Sequence, residues 1–242
     1  MLFIRSMGKK RQIFFLVFLV IILIAINYNF LDRQIDNFLS ESEYAHVTRI
    51  IDGDTVEIDD NESVRLLGIN TPERGEKYYG EATEFLSSLI LNKTVKLEFT
   101  NDRYDKYDRI LAYIFLEDEN INIKIVENGF GNYYFYSGED KYSDDLEEAW
   151  DKCINNNLNL CEVSTNICAK CINAESNYII NICSFSCDIS GWEIKGEGRQ
   201  KFVFNETIET NEMVGFELDT ADSGGSLFLR DDEGKLVEWG SY

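Results

Sequence analysis

The chain has 242 residues, 44% hydrophobic and 28% charged, with 44 acidic against 23 basic side chains and a net charge of −21. That length fits one large or two small domains, and the apolar content is enough to fold them. The charge excludes a broadly basic nucleic-acid surface, so any site for a polyanion must concentrate a few cations and let a metal offset repulsion.

Arg5, Lys9, Lys10 and Arg11 precede an unbroken apolar run from Ile13 to Ile26. A basic flank before a hydrophobic stretch is the pattern of an export segment. The run is short for a full span, but Asn27, Tyr28 and Asn29 suit the interface and Phe30-Leu31 add apolar length. Without a small-x-small cleavage site, residues 1–31 are expected to be an uncleaved N-terminal membrane anchor, with a cleaved signal peptide as the alternative. Either way the basic flank stays inside and the remainder lies outside the cell, membrane-anchored or secreted. The polar stretch 32–43 reads as a linker.

Tyr44 to Asp60 alternates as two strands broken at Gly53, and Ser63 to Ile69 is a third. Between 76 and 91, Tyr79, Ala82, Phe85, Leu86, Leu89 and Ile90 fall at helical spacing. Residues 95–99 and 110–116 are further strands. Residues 121–128 form a short helix stopped by Gly129, and 143–156 a longer acidic one. Five strands with a helix after the third is the order of an OB-type barrel, which commonly binds nucleic acid or sugar on one face.

In Ile51-Asp52-Gly53-Asp54-Thr55-Val56 two aspartates flank a glycine. On one strand they share a face, and glycine lets backbone come close to a bound ion. Alone, the stretch reads equally as a turn rich in Asp and Gly. Two more motifs follow in order: Val64-Arg65-Leu66-Leu67-Gly68-Ile69-Asn70-Thr71-Pro72-Glu73, and Asp105-Lys106-Tyr107-Asp108-Arg109-Ile110-Leu111-Ala112-Tyr113. Together, over about residues 46–160, the three resemble the staphylococcal nuclease (thermonuclease) family.

The resemblance implies a calcium-dependent, sugar-nonspecific endonuclease acting on DNA and RNA, cutting the P–O5′ bond and leaving 3′-phosphates. Attack of water on an anionic phosphodiester builds charge on phosphorus, so catalysis is mostly positioning and neutralisation. By resemblance Ca2+ is held by Asp54, Asn70 and the carbonyl of Thr71, hard oxygen donors that suit that ion. Asn70 stands where the family's nuclease has an aspartate, so weaker calcium binding is expected. Asp52 helps from outside, through water. Glu73 matches the residue that orients water, and Pro72 fixes the backbone before it. Arg65 and Arg109 match the two phosphate-gripping arginines, whose guanidinium forks suit bidentate contact. Lys106 and Tyr107 match residues holding the nucleotide's terminal phosphate. Tyr134 and Tyr136, within an aromatic run from Tyr133, match tyrosines of the nucleotide pocket, where stacking tolerates any base.

His46 is the only histidine, which removes a Ser-His-Asp triad unless His46 itself serves. Two other classes remain open: an inactive nucleic-acid-binding module, with Asn70 as its support, and a surface-adhesion protein in which the tail is the working part.

All six cysteines, at 153, 161, 168, 171, 183 and 187, lie in one segment. An even count in an exported chain suggests disulfides, which would staple the last nuclease helix to the tail. The rival reading is a Zn2+ site from Cys168-x-x-Cys171 and Cys183-x-x-x-Cys187. Beyond Leu160 helical periodicity stops. Segments 176–182, 192–195, 201–204, 213–218, 226–230 and 236–242 alternate as a small antiparallel sandwich. Cys187-Asp188-Ile189-Ser190-Gly191-Trp192-Glu193-Ile194 and residues 227–237 are similar to the lamin-tail family, an immunoglobulin-like sandwich, over about 172–242. Trp192 reads as a core plug. The chain is thus expected to be mainly β, with a nuclease OB-fold domain at 44–162 and a tail domain at 163–242.

Overall fold

The computed structural model describes residues 9–27, 42–100, 102–135, 138–196, 200–218 and 226–241. Arg5, Tyr28 to Leu31, Tyr136 and nearly all of the expected linker lie outside the described residues. The chain divides into two units, Met1–Ser40 and Glu41–Tyr242.

In the first unit Lys9–Ile26 is a helix, α1, with Lys9, Lys10 and Arg11 in its first turn. The apolar side chains from Ile13 to Ile24 are all exposed. Among the described residues no helix is long and apolar enough to cross a membrane.

The second unit is mainly β. Its first part runs β1 (Ser42–Ile50), β2 (Thr55–Ile58), β3 (Ser63–Leu66), β4 (Ile69–Asn70), α2 (Tyr79–Ile90), β5 (Thr94–Glu98), β6 (Ile110–Leu116), β7 (Glu119–Asn120), α3 (Ile121–Glu127), β8 (Asn132–Tyr133) and α4 (Ser143–Asn156). Antiparallel pairs β2–β3, β1–β2, β1–β5 and β5–β6 are joined into a closed five-stranded barrel by the parallel pair β3–β6. Every second residue points inward: Ala45 and Val47, Val56 and Ile58, Val64 and Leu66, Val95 and Leu97, Ala112 and Ile114 are all buried.

Two boundaries move from their expected places. The third strand stops at Leu66, because Gly68 turns the chain with φ +71° and passes so near Leu146 and Tyr113 that a Cβ would stand 2.5 Å from Leu146 Cδ1. The helix expected from residue 76 starts at Tyr79, because the Glu76 side chain folds back to accept the Glu73 N–H at 2.8 Å. The chain from Thr71 to Tyr78 is therefore a loop. α3 is capped by Asn120, whose Oδ1 accepts the N–H groups of Asn122 and Ile123. Fully buried Asn122 accepts the Ile114 N–H and donates to the Leu67 carbonyl at 2.7 Å, tying helix and barrel to the chain that leads into β4.

Among the described residues nine short strands follow: β9 (Ile172–Ala174), β10 (Tyr178–Asn181), β11 (Cys187–Asp188), β12 (Glu193–Gly196), β13 (Lys201–Val203), β14 (Thr207–Ile208), β15 (Met213–Gly215), β16 (Ser226–Arg230) and β17 (Leu236–Ser241). They pair as β13-β12-β16-β17, β15-β10-β9 and β11-β14. Ile179 from one sheet and Ile194 and Leu229 from another share a core with Trp192, which is 1% exposed.

The cysteines form three disulfides, Cys153–Cys161, Cys168–Cys187 and Cys171–Cys183. Their Cα separations, 5.1 to 5.8 Å, suit such bridges. This corrects the zinc alternative, because every sulfur that would ligate is bonded to another. It also corrects the expected staple: one bridge closes the end of α4 and two lie within 168–187, so none joins α4 to the tail strands. Side chains make that connection instead. Phe228 and Leu236 belong to the barrel's own hydrophobic core. The Phe228 ring meets Trp150 edge-on at 5.3 Å and Tyr133 at 5.9 Å. Ser226 Oγ donates to Tyr133 Oη at 3.0 Å, and buried Arg230 donates to the Leu160 carbonyl.

Candidate active site

The turn before β2, with β3, β4, residues 71–73, 102–109, 134–135 and 138–140, and Leu111 and Tyr113 of β6, encloses a cavity of about 570 Å³. Asp54, Arg65, Asn70, Thr71, Glu73, Lys106, Tyr107, Arg109 and Tyr134 all line it. The fold thus brings together nine of the ten site residues expected from the sequence outside the cysteines, and the tenth, Tyr136, is outside the described residues.

Asp54, just ahead of β2, is 7% exposed. Its Oδ2 accepts the Thr71 N–H and Thr71 Oγ–H at 3.0 Å each and faces Arg65 Nη2 at 3.2 Å. Its Oδ1 accepts from Thr55 Oγ at 3.1 Å. Gly53 makes this approach possible: a Cβ there would lie 2.8 Å from Thr71 Oγ1 and 2.9 Å from Ala82 Cβ. Arg65, on β3, also donates from Nη1 to the Leu66 carbonyl at 2.6 Å and from Nη2 to the Ile69 carbonyl at 2.8 Å. Its guanidinium is therefore held flat against the start of β4 before any substrate arrives.

Asp52 accepts the Asp54 N–H through Oδ1 at 3.2 Å. Burial, and then the negative charge of Asp54, push its carboxyl above the usual carboxylate range, against the opposing pull of that N–H. Arg109, just before β6, is fixed by Asp105: Nε and Nη2 each lie 2.7 Å from Asp105 Oδ2. Asp105 Oδ1 accepts the backbone N–H groups of Tyr107 and Arg109. Burial alone would raise the Asp105 carboxyl, but those two N–H groups and the guanidinium outweigh it and hold it below its ordinary value. The cations of Lys106 and Arg109 sit over the Tyr107 ring at 5.2 and 5.6 Å. Tyr133 is buried in the core while Tyr134 reaches the cavity, as alternation from β8 requires.

For a metal, the available donors are the Asp54 carboxylate, the Asn70 amide oxygen and the Thr71 carbonyl, with Asp52 behind them. All are hard oxygens, which fits a hard divalent cation and no soft one. Among the described residues no three His, Cys, Asp or Glu side chains are grouped to hold an ion. A cation here would rest on one direct carboxylate, an amide and a backbone oxygen.

Asp102, Glu139 and Asp140 also line the cavity, so Arg65, Lys106 and Arg109 work inside an acidic rim. Tyr113 Oη donates to Asp140 at 2.8 Å. Burial and that neighbouring carboxylate push its phenol upward, so it remains a proton donor. Two partners were not singled out by sequence spacing. Asp105 clasps Arg109 four residues on, a pairing the Asp-x-x-x-Arg interval could have signalled. Glu76 joins the cavity loop to the tail, and no local signal marks it.

Residues 63–162 match the family described as Staphylococcal nuclease homologue. The chain is 38% identical over 125 residues to a thermonuclease of Staphylococcus intermedius, covering 48% of this chain and 74% of that protein. It is 34% identical over 112 residues to a thermonuclease of Staphylococcus hyicus, covering 43% and 66%. It is also 34% identical over 107 residues to endonuclease YncB of Bacillus subtilis, covering 40% and 51%.

Proposed function

Because this chain belongs to the staphylococcal nuclease family, and is therefore a nuclease that hydrolyses phosphodiester bonds, we propose that it is an exported, calcium-dependent, sugar-nonspecific endonuclease that cuts DNA and RNA to 3′-phosphate products. The observation that supports this most is the single cavity lined by Asp54, Arg65, Glu73 and Arg109. These are the residue types a phosphodiester needs around it: two guanidinium groups, a carboxylate for water and an oxygen site for a cation.

Arg65, on β3, and Arg109, two residues before the Leu111 that pairs with Arg65, both bind the scissile phosphate. Each is preorganised by its own carboxylate, Asp54 or Asp105, so little side-chain entropy is lost when substrate binds. Asp54, Asn70 and the Thr71 carbonyl would hold calcium, and the ion would supply positive charge to offset that of the phosphoryl group. Glu73 orients the attacking water and accepts its proton at a carboxylate oxygen. As the water oxygen bonds to phosphorus the P–O5′ bond breaks, and the 5′-oxygen leaves with the downstream nucleic-acid fragment, taking a proton from solvent. Lys106 and Tyr107 bind the terminal phosphate, and Tyr134, which lines the cavity, supplies an aromatic surface that accepts all four bases, a role the family resemblance also assigns to Tyr136.

Three disulfides support an oxidising compartment and hence export, with the basic-then-apolar segment 1–31 as the signal or anchor that directs it. The residues from 163 onward serve as a lamin-tail-like β domain beside the nuclease domain at 44–162. The test is Glu73→Gln and Arg65→Ala in the full chain, assayed on single-stranded DNA with calcium and with a chelator. Each variant and the chelator should cost about a hundredfold or more in rate, and unchanged rates in both variants end the assignment. Asn70, an uncharged donor at a metal position, favours one second reading: binding of nucleic acid without cleavage. The same assay decides it, since that protein yields no 3′-phosphate ends.

A further inference from the structure

The loop carrying Glu73 is held by residues more than a hundred positions further along the chain. Glu76 Oε2 accepts the Glu73 N–H at 2.8 Å. Lys195, on β12, brings its ammonium to 3.1 Å from Glu76 Oε1 and 3.0 Å from Oε2. Lys201, on neighbouring β13, stands 3.9 Å from Glu76 Oε1 and pairs with Glu193 at 2.8 Å. One residue further on, Lys77 donates to the Glu233 carbonyl at 3.0 Å. The tail therefore grips the catalytic loop at two successive residues.

An exposed ion pair contributes little, because solvent screens it and two long side chains must be ordered. This one differs: the Lys195 and Glu76 side chains are only 16% and 22% exposed, and one carboxylate oxygen also receives a main-chain N–H. Burial alone would raise the Glu76 carboxyl, but the Glu73 N–H, Lys195 and Lys201 outweigh it and keep Glu76 ionised. A charged acceptor makes the stronger bond to the Glu73 N–H.

We propose that Lys195, from the C-terminal β domain, is a positioning residue for hydrolysis: it clamps Glu76, which fixes the backbone of Glu73 and so the direction of its carboxylate. This rests on the reading of Glu73 as the group that aims water. The tail thereby becomes part of the catalytic apparatus, whatever else it binds.

The full chain carrying Lys195→Met, Lys195→Arg, Glu73→Gln or the Glu73→Gln/Lys195→Met pair is assayed for kcat and KM on single-stranded DNA with calcium, with the unfolding midpoint checking each fold. Lys195→Met should lower kcat about tenfold, the scale of a small misplacement of a catalytic group, and leave KM within twofold. Lys195→Arg should restore most of the loss. In the Glu73→Gln background the lysine change should add less than twofold. If Glu73→Gln is impaired but folded Lys195→Met keeps full kcat, or if the two losses multiply, the inference is overturned and the proposed function stands. If Glu73→Gln is unimpaired, both fall. Should Lys195→Met fail to fold, Lys195→Gln is read by the same criteria.

Discussion

The guanidinium of Arg65 stands 3.2 Å from Asp54 Oδ2 while its terminal nitrogens hold the carbonyls of Leu66 and Ile69. One side chain thus joins the proposed metal ligand to the strand pair that carries Asn70. A lysine offers a point charge in place of a fork and cannot reach two carbonyls and a carboxylate together. Arg65→Lys should therefore recover less than a tenth of wild-type kcat, while the unfolding midpoint changes little. Steady-state rates on single-stranded DNA with calcium check it, and near-normal turnover would show that the fork is not what matters.

Asp52 is a carboxyl raised by burial and by the charge of Asp54. A group whose folded pKa lies above its ordinary value of 3.8 costs stability wherever it is ionised, and that cost disappears as pH falls through the raised value. Asp52→Asn keeps an oxygen to accept the Asp54 N–H and removes the repulsion. It should stabilise the metal-free protein at pH 7 by about 0.5–1 kcal/mol, with the gain shrinking toward zero below the ordinary value. Calcium-dependent rate should fall about tenfold or more, because charge beside the metal is lost. Thermal unfolding across pH, paired with a calcium titration of activity, reads both. A variant neither more stable nor less active would refute the conflict between the two aspartates.

Glu98 presents the opposite sign. It is 2% exposed and accepts from Tyr142 Oη at 2.6 Å, with Lys141 at 2.5 Å and Lys96 at 3.3 Å. Burial alone would raise it, but Lys141, Tyr142 and Lys96 together hold it below its ordinary value of 4.5. Its stabilising contribution is present above that value and is lost as pH falls through the lower folded value. Glu98→Gln should cost about 1–3 kcal/mol at pH 7, and the gap to wild type should close in acid. Urea titrations at pH 7 and at steps into acid well below the ordinary value of 4.5 test this, and a gap independent of pH would count against it.

The barrel was legible in part from spacing, since Val56 and Ile58, Val95 and Leu97 mark inward faces, but β6 buries Ala112, Tyr113 and Ile114 in a row and the family resemblance of the motifs carried the rest. The site was legible because the Asp-Gly-Asp stretch, the chain from Arg65 to Glu73 and the chain around Arg109 keep a familiar order. The disulfide pairing was not, since six cysteines allow fifteen connectivities and spacing does not choose among them. Strands of two or three residues, such as β11 and β14, are too short to show a period. The break after Leu66 depends on how close Leu146 comes to Gly68, a contact between residues far apart in the chain. The Glu76–Lys195 pair is likewise set only by the docking of β12 against the loop.

Phe228 lies among the aromatic side chains of the nuclease barrel, against Trp150 and Tyr133. A chain cut after Leu160 would end in a vacant aromatic socket rather than a finished surface. No ready seam exists at which a minimal nuclease could be excised, and a different tail could be grafted only by recarving the side of the barrel that receives it.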